Sequence, residues 1–276
     1  MTAANEEDLT RKQRREQARA ERKAAEEAAA ADATRKRRIT QLAGVGAVVV
    51  AAIVVILIAT GGGGKSTPSV PKPTEQPKIA QEVSHELAGI PQNGRTIGNP
   101  NAPVTIQYFG DLECPICKQF SDKSGALPAL LAGPVKDGKV KIEYMSMQTA
   151  TREPEVFTDQ QKAAYAAGAQ KKGWHYIELF YNEQGAEDSG YVNEKYLQNI
   201  ASQVPGLNLS KWQSERSNPK YEAEIAADQQ AANNNSLTGT PSFLIGKSGG
   251  ALKKYEYNSL EDPKGFEEAI EKAAKE

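Results

Sequence analysis

Cysteine is nearly absent from this chain of 276 residues, which has only Cys114 and Cys117, and histidine occurs only as His85 and His175. A small extracellular scaffold held by disulfides needs more cysteine pairs at wider spacing, so that class of protein is excluded. A tetrahedral zinc site built on the two cysteines would need both histidines, so no metal site is predicted. The net charge of −1 also argues against a nucleic-acid partner, which requires a strong basic field.

The N-terminal part of the chain is predicted to be a membrane anchor. Residues 1–38 are highly charged and have too few large apolar side chains for a core, which predicts a cytoplasmic tail. A transmembrane helix is predicted at 39–60, because residues 42–59 are uncharged and almost wholly apolar. They give about 27 Å of helix, close to the ~30 Å hydrocarbon core. The basic residues 35–38 at its start place the N-terminus in the cytoplasm and the rest of the chain outside.

A cleaved signal peptide is the alternative for this segment, but the charged region of a signal peptide is normally short. We therefore expect a single-pass protein of the cell membrane whose catalytic domain is extracytoplasmic. A linker and lead-in are predicted at 61–94, where four consecutive glycines precede a proline-rich stretch.

The folded domain is predicted at 95–276. Residues 104–109 and 140–144 alternate between apolar and polar side chains, as half-buried strands do, and the segment 114–131 between them is predicted to be a helix. A helical insertion follows at about 159–236. It is interrupted near 185–190, at 205–206 and at Pro219. Two strands, at 242–245 and 252–257, and a final helix capped by Asp262 complete the domain.

The two cysteines form the motif Cys-Pro-Ile-Cys where a predicted strand gives way to a predicted helix. The free N–H groups and the dipole of that helix stabilise a thiolate at Cys114 and lower its pKa below the usual ~8.5. Pro115 costs little there, because its missing N–H would have had no helical partner. Cys117 lies about one turn further on, where it can attack a mixed disulfide made by Cys114. Cys114 is the predicted nucleophile and Cys117 the predicted resolving thiol.

Other interpretations of the cysteine pair are weaker. A zinc site lacks ligands, as described above. A structural disulfide over so short a loop would constrain the unfolded chain very little. An inert buried pair would leave the placement between strand and helix unexplained. Redox chemistry is therefore the favoured interpretation, with no cofactor beyond the Cys114–Cys117 disulfide itself.

A strand, Cys-Pro-Ile-Cys, a helix and a later Thr-Pro before a strand together resemble the thioredoxin superfamily. The helical insertion and the segments 98–103 and 111–113 are similar to its DsbA-like branch. The resemblance covers about residues 95–275. It implies an α/β thioredoxin-like fold with a helical insertion between a β-α-β unit and a β-β-α unit, here preceded by a single transmembrane helix.

The resemblance also implies that Pro241 is a cis-proline packed against the cysteines, and that the backbone of Thr240 pairs with an extended substrate segment. An ordinary trans proline at the start of a strand is the alternative. Pro115 and Ile116 would tune the cysteines. Ile116 departs from the DsbA-type pattern, in which a histidine or another polar residue often stands at this position, and this weakens the case for a very low Cys114 pKa.

Two groups of residues near the motif have open roles. Asp111 and Glu113 are expected to be solvated loop carboxylates, although a proton relay for Cys117 is an alternative. The aromatic residues of the insertion are expected to pack in its core rather than line a substrate groove: Trp174, Tyr176, Phe180, Tyr181 and Tyr191.

The leading functional prediction is an enzyme that oxidises exported proteins through their cysteine thiols and is reset by a redox partner in the membrane. One alternative is a membrane-tethered reductant, for example one that keeps thiols open before haem attachment to a cytochrome. Another is a thioredoxin-like binding module with little turnover. The default expectation for the folded domain is a monomer.

Overall fold

A computed structural model describes residue 72 and residues 74–276. The predicted cytoplasmic tail, the predicted transmembrane helix and most of the glycine- and proline-rich linker lie outside these residues. Within the described part of the chain, no helix combines the length and the apolar composition needed to cross a membrane.

A six-stranded mixed sheet forms the centre of the domain, with the strand order β1-β2-β4-β3-β5-β6. Strands β3 and β4 run parallel, and every other neighbouring pair is antiparallel. The strands are β1 (Gln92–Asn93), β2 (Thr96–Ile97), β3 (Val104–Gly110), β4 (Val140–Ser146), β5 (Ser242–Lys247) and β6 (Lys253–Tyr255).

Strand β3 is more deeply buried than the alternating pattern of its sequence predicts. Six of its seven residues are buried and only Gln107 is partly exposed. It pairs with β4 on one side and β5 on the other. Even Thr105 is buried, and its hydroxyl lies 2.7 Å from that of Ser248. The carboxyl end of this strand leads directly to the cysteine motif.

The predicted helix at 114–131 is in fact two helices, α2 (Pro115–Ser121) and α3 (Ala126–Leu130), followed by a wider turn at Leu131–Val135. The break follows from a close backbone approach at Gly125, where a Cβ would lie 2.2 Å from the carbonyl oxygen of Phe120. Any larger residue would clash there. The short α2 carries the cysteines, and Phe120 anchors it in the core.

The helical insertion consists of five helices between β4 and β5, and it starts at Pro154 rather than at residue 159. They are α4 (Pro154–Gly168), α5 (Gly173–Asn182), α6 (Glu194–Gln203), α7 (Leu209–Glu215) and α8 (Lys220–Asn234). The predicted interruptions are confirmed. Four of the five aromatic residues considered for a groove are fully buried, which confirms the core interpretation: Trp174, Tyr176, Phe180 and Tyr181. Tyr191 is half-buried and packs against that core.

The folded domain begins before residue 95. Helix α1 (Gln76–Glu86) and strands β1 and β2 belong to it. Val83 and Leu87 are buried in the main core. Trp174 Nε1 donates a hydrogen bond to the carbonyl of Arg95 at 2.8 Å, which ties the lead-in to α5. The sequence gives this segment little periodicity, and its packing comes from contacts with the insertion.

The C-terminal β-β-α unit agrees with the sequence prediction. Strands β5 and β6 pair antiparallel, and helix α9 (Pro263–Lys275) packs on β5 and α3. The Asp262 side chain accepts a hydrogen bond from the N–H of Lys264 at 3.0 Å, which confirms it as the N-cap.

Candidate active site

Cys114 is the N-cap residue of α2. Its backbone is extended, with φ −71° and ψ 117°, and Pro115 occupies the first helical turn. The Cys114 sulfur accepts a hydrogen bond from the N–H of Cys117 at 3.4 Å. The position usually held by Ser, Thr, Asp or Asn is thus held by a thiol, whose sulfur receives one of the helix's free N–H groups.

The two cysteines have opposite proton affinities. A hydrogen bond from the Cys117 thiol is the main reason why the pKa of Cys114 falls from 9.0 to about 7, and the contact with Thr240 also lowers it against the effect of burial. Burial raises the pKa of Cys117 well above 9.0. Near neutral pH, therefore, Cys114 is the thiol that ionises and Cys117 holds its proton.

The Thr240–Pro241 peptide bond is cis, as the resemblance implies. The Cys114 thiol donates to the carbonyl of Thr240 across 3.4 Å. On the other side of this segment, the Tyr257 hydroxyl donates to the carbonyl of Pro241 at 3.2 Å. The structure thus places the predicted substrate-pairing residue directly beside the predicted nucleophile.

Thr149, in the loop after β4, completes the surroundings of Thr240. The two hydroxyls are 2.5 Å apart. Ile116 is the most exposed large apolar side chain of the described residues, at 47% of its full area. Its side chain offers Cys114 no hydrogen-bond donor, whereas its backbone N–H helps to lower the Cys114 pKa. The site therefore combines an exposed apolar residue, an ionisable thiol and a backbone carbonyl, that of Thr240, in contact with this thiol.

The expectation that Asp111 is solvated is wrong, because its side chain is fully buried. Its Oδ2 accepts backbone N–H groups from Thr149, Ala150 and Thr151 at 2.9, 2.9 and 3.0 Å. Its Oδ1 accepts the Thr151 hydroxyl at 2.6 Å and the N–H of Glu113 at 3.1 Å. Asp111 therefore fixes the loop that carries Thr149. An aspartate two residues before its own N–H donor is a known turn signal, and it could have indicated this role.

Glu113 is also buried, with 3% of its surface exposed, so the prediction of a solvated carboxylate is wrong for this residue as well. Burial is the main cause that raises its pKa to about 7. The nearby Thr151 hydroxyl lowers the pKa, while the charges of Asp111 and Asp188 raise it. Unlike Asp111, it accepts no backbone N–H from the loop.

Three buried tyrosines lie close to Cys117, and sequence reasoning assigned none of them to the site. Tyr108 and Tyr144 are register partners on β3 and β4. The Tyr108 hydroxyl donates to that of Tyr181 at 3.1 Å, and Tyr181 donates to the carbonyl of Asp111 at 3.3 Å. Burial, reinforced by the Cys117 thiol, raises the pKa of Tyr108 well above 10. These groups therefore remain neutral hydroxyls beside the resolving cysteine.

Gln184, two residues after the end of α5, is a further supporting residue that the sequence did not indicate. It is buried, and its Nε2 donates to the carbonyls of Leu112 and Cys114 at 2.7 and 3.1 Å. The insertion therefore helps to hold the turn before the nucleophile. Among residues 72 and 74–276, no group of three or more His, Cys, Asp or Glu side chains is arranged to hold a metal ion.

A protein-family model described as "Thioredoxin" matches residues 91–272. A protein named "Probable disulfide bond formation protein D" from Bacillus anthracis is 22% identical over 167 residues, which is 60% of this chain and 74% of that protein. The structure of oxidised BdbD from Bacillus subtilis aligns with a TM-score of 0.55 at 16% identity and covers 76% of this chain and all of that one. A thioredoxin-like oxidoreductase from Silicibacter pomeroyi aligns with a TM-score of 0.51 at 25% identity, over 66% of this chain and 92% of that one.

Proposed function

Since the chain belongs to the thioredoxin family and is a thiol–disulfide oxidoreductase, we propose that it introduces disulfides into exported proteins through Cys114 and Cys117. The observation that carries the proposal is the difference in proton affinity between the two cysteines. Cys114 ionises near neutral pH beside the half-buried Thr240, and Cys117 is buried and protonated.

The reaction starts from the oxidised pair. A substrate thiolate attacks Cys114 Sγ, the Cys114–Cys117 bond breaks, and Cys117 leaves as a thiolate that takes up a proton. A second substrate thiolate then attacks the substrate sulfur of the mixed disulfide, and Cys114 leaves as a thiolate. The substrate gives up two electrons and two protons in total, and the enzyme ends as a dithiol.

In this proposal the Thr240 segment holds the substrate. Its carbonyl lies 3.4 Å from Cys114 Sγ, so a substrate strand that pairs with this backbone would present its own sulfur at the nucleophile. The hydroxyl pair of Thr149 and Thr240 fixes the edge of the segment. Ile116, two residues after Cys114, supplies exposed apolar area near the nucleophile.

The reduced pair needs an electron acceptor after each turnover. We place that partner in the membrane, because residues 39–60 have the length and composition of an anchor and the basic residues before them orient the domain outward. Such an anchor would keep the enzyme close both to emerging proteins and to a membrane redox partner. The names of the Bacillus relatives, which refer to disulfide bond formation, favour the oxidising direction.

A reductant is the second candidate, and the Cys114 pKa of about 7 is the observation that favours it. Strong oxidants of this kind depress that pKa to about 3.5, whereas thioredoxin, which is far more reducing, has a value of about 7. The side chain of Ile116 brings no donor that would lower the Cys114 pKa further. The same pair would then accept a disulfide from its substrate, with Cys117 resolving the mixed disulfide.

The reduction potential of the full-length chain decides between these directions. Equilibration with glutathione, followed by counting free thiols at Cys114 and Cys117, gives the value. A potential above about −170 mV means that the disulfide passes to substrates, as we propose. A value at or below about −250 mV would identify a reductant instead. A pair that forms no disulfide would contradict both directions.

A further inference from the structure

A cavity of about 280 Å³ opens beside the reactive cysteine. Its walls come from the residue before Cys114, from the loop after β4, from the start of α4 and from the loop before α6. Three of its lining residues are acidic, Glu113, Glu153 and Asp188, and one is basic, Arg152. We call this space the acidic cavity.

The carboxylate of Glu113 lines the acidic cavity without a partner among the described residues. It is 97% buried, since only 3% of its surface is exposed. The Thr151 hydroxyl is close, but it donates to Asp111 Oδ1 at 2.6 Å. The cation nearby, Arg152, pairs with Asp188 and is largely exposed. The Glu113 oxygens keep contact with the open space of the acidic cavity, so a ligand that enters this space can donate directly to the carboxylate.

The chemistry of the lining selects the kind of ligand. An anion would be repelled by Glu113, Glu153 and Asp188. A metal ion would need a converging set of ligands, and the described residues contain no such set. An ammonium or guanidinium group on a long side chain satisfies a single buried carboxylate and fits a space of this volume.

We propose that the acidic cavity binds a lysine or arginine side chain of the substrate polypeptide, close in sequence to the cysteine that is attacked. This inference rests on the proposed function. Glu113 and Cys114 are neighbours, so their Cα atoms are about 3.8 Å apart. A substrate residue one or two positions from the reacting cysteine lies within about 3–7 Å of it along an extended strand. A long basic side chain spans the remaining distance.

The test compares peptides on the oxidised full-length chain. Each peptide carries two cysteine thiols and a single lysine at one of the two positions on either side of the first cysteine. Matched peptides carry glutamine or glutamate at the same position. The second-order rate constant for peptide oxidation is measured under single-turnover conditions. We expect lysine to react about tenfold faster than glutamine at one or more positions, and glutamate to react more slowly.

Three variants of the chain locate the effect. Glu113→Gln should bring the ratio of lysine to glutamine rates close to one, and because it is a ratio, any general change in Cys114 reactivity cancels. Asp188→Asn, at a left-handed position that asparagine tolerates, should reduce the ratio partly. Glu155→Gln is the control, since Glu155 is exposed on α4, the helix whose start forms part of the cavity wall, and does not itself line the cavity. It should keep the full ratio.

The possible failures are distinguishable. If the oxidised chain transfers its disulfide to no peptide, the proposed function is wrong and the inference falls with it. If all peptides react at similar rates, only the inference is wrong. Equal loss of the ratio in the Glu113 and Glu155 variants would indicate a long-range charge effect and would also overturn it. Should the Glu113 variant fail to fold, the ratio in Asp188→Asn decides.

Discussion

Replacing Asp111 by alanine should loosen the loop that carries Thr149 and destabilise the whole domain. The carboxylate is fully buried and accepts three consecutive backbone N–H groups, those of Thr149, Ala150 and Thr151, at 2.9–3.0 Å. It also accepts the Thr151 hydroxyl and the N–H of Glu113. Alanine removes the acceptor and leaves these donors in place.

The expected cost follows from the number of donors left without a partner. Each buried donor that loses its acceptor costs about 1–3 kcal/mol. The three N–H groups of the loop alone would give about 3–9 kcal/mol if nothing relaxed. Because the loop can shift and water can enter at Thr149, we expect about 3–5 kcal/mol. Asp111→Asn keeps one carbonyl oxygen for the same N–H groups and should cost about half as much.

The free energy of unfolding of the full-length chain is measured by urea titration for both variants. Asp159→Ala, at an exposed position on α4, is the matched control and should stay within about 0.5 kcal/mol of the unmodified chain. Disulfide transfer to a peptide should slow in the Asp111 variants, because Thr149 no longer supports Thr240. An Asp111→Ala chain within about 1 kcal/mol of the unmodified one would refute the account of this network.

The rate at which Cys114 reacts with iodoacetamide should rise through a midpoint near pH 7, and Cys117→Ala should move the midpoint upward; an unmoved midpoint would exclude the hydrogen bond as its cause. Ile116→His should raise the reduction potential by about 30 mV for each unit by which it lowers the Cys114 pKa; an unchanged potential in the glutathione equilibration would contradict this. Glu178 is fully buried, and burial and the charge of Glu86 raise its pKa well above 4.5. The folded state holds the Glu178 proton more tightly than the unfolded state does. The contribution of this group to stability is therefore fully present below about pH 4.5 and is lost as the pH rises through its folded-state pKa. Glu178→Gln should therefore stabilise the chain against urea at pH 8.5 and have little effect at pH 4.5. Equal effects at the two pH values would contradict the raised pKa of Glu178.

The features that depend on local sequence could be predicted well. Cys114 as the N-cap of α2 follows from a strand end, a proline at the first helical position and the i to i+3 spacing of the cysteines. Asp262 and Pro263 mark the start of α9 in the same way. These signals involve only a few neighbouring residues, so they do not depend on how the rest of the chain packs.

The features that depend on distant partners could not be predicted. Asp111 is satisfied by N–H groups 38–40 residues away, and the sequence does not show that this loop returns to the turn before the cysteines. The break between α2 and α3 depends on the close packing of Gly125 against Phe120. Helix α1 joins the domain because Val83 and Leu87 find a core that the insertion helps to build.

The two acids before the motif show how one loop gives similar side chains different roles. Asp111 and Glu113 are two residues apart, and both are buried. The N–H groups of Thr149–Thr151 all go to Asp111, as does the hydroxyl of Thr151. Glu113 accepts no N–H group from that loop, and burial, only partly offset by the nearby Thr151 hydroxyl, raises its pKa to about 7. The network that holds this loop thus leaves the Glu113 carboxylate facing the acidic cavity next to the nucleophile, and a basic substrate side chain is the group best suited to pair with it.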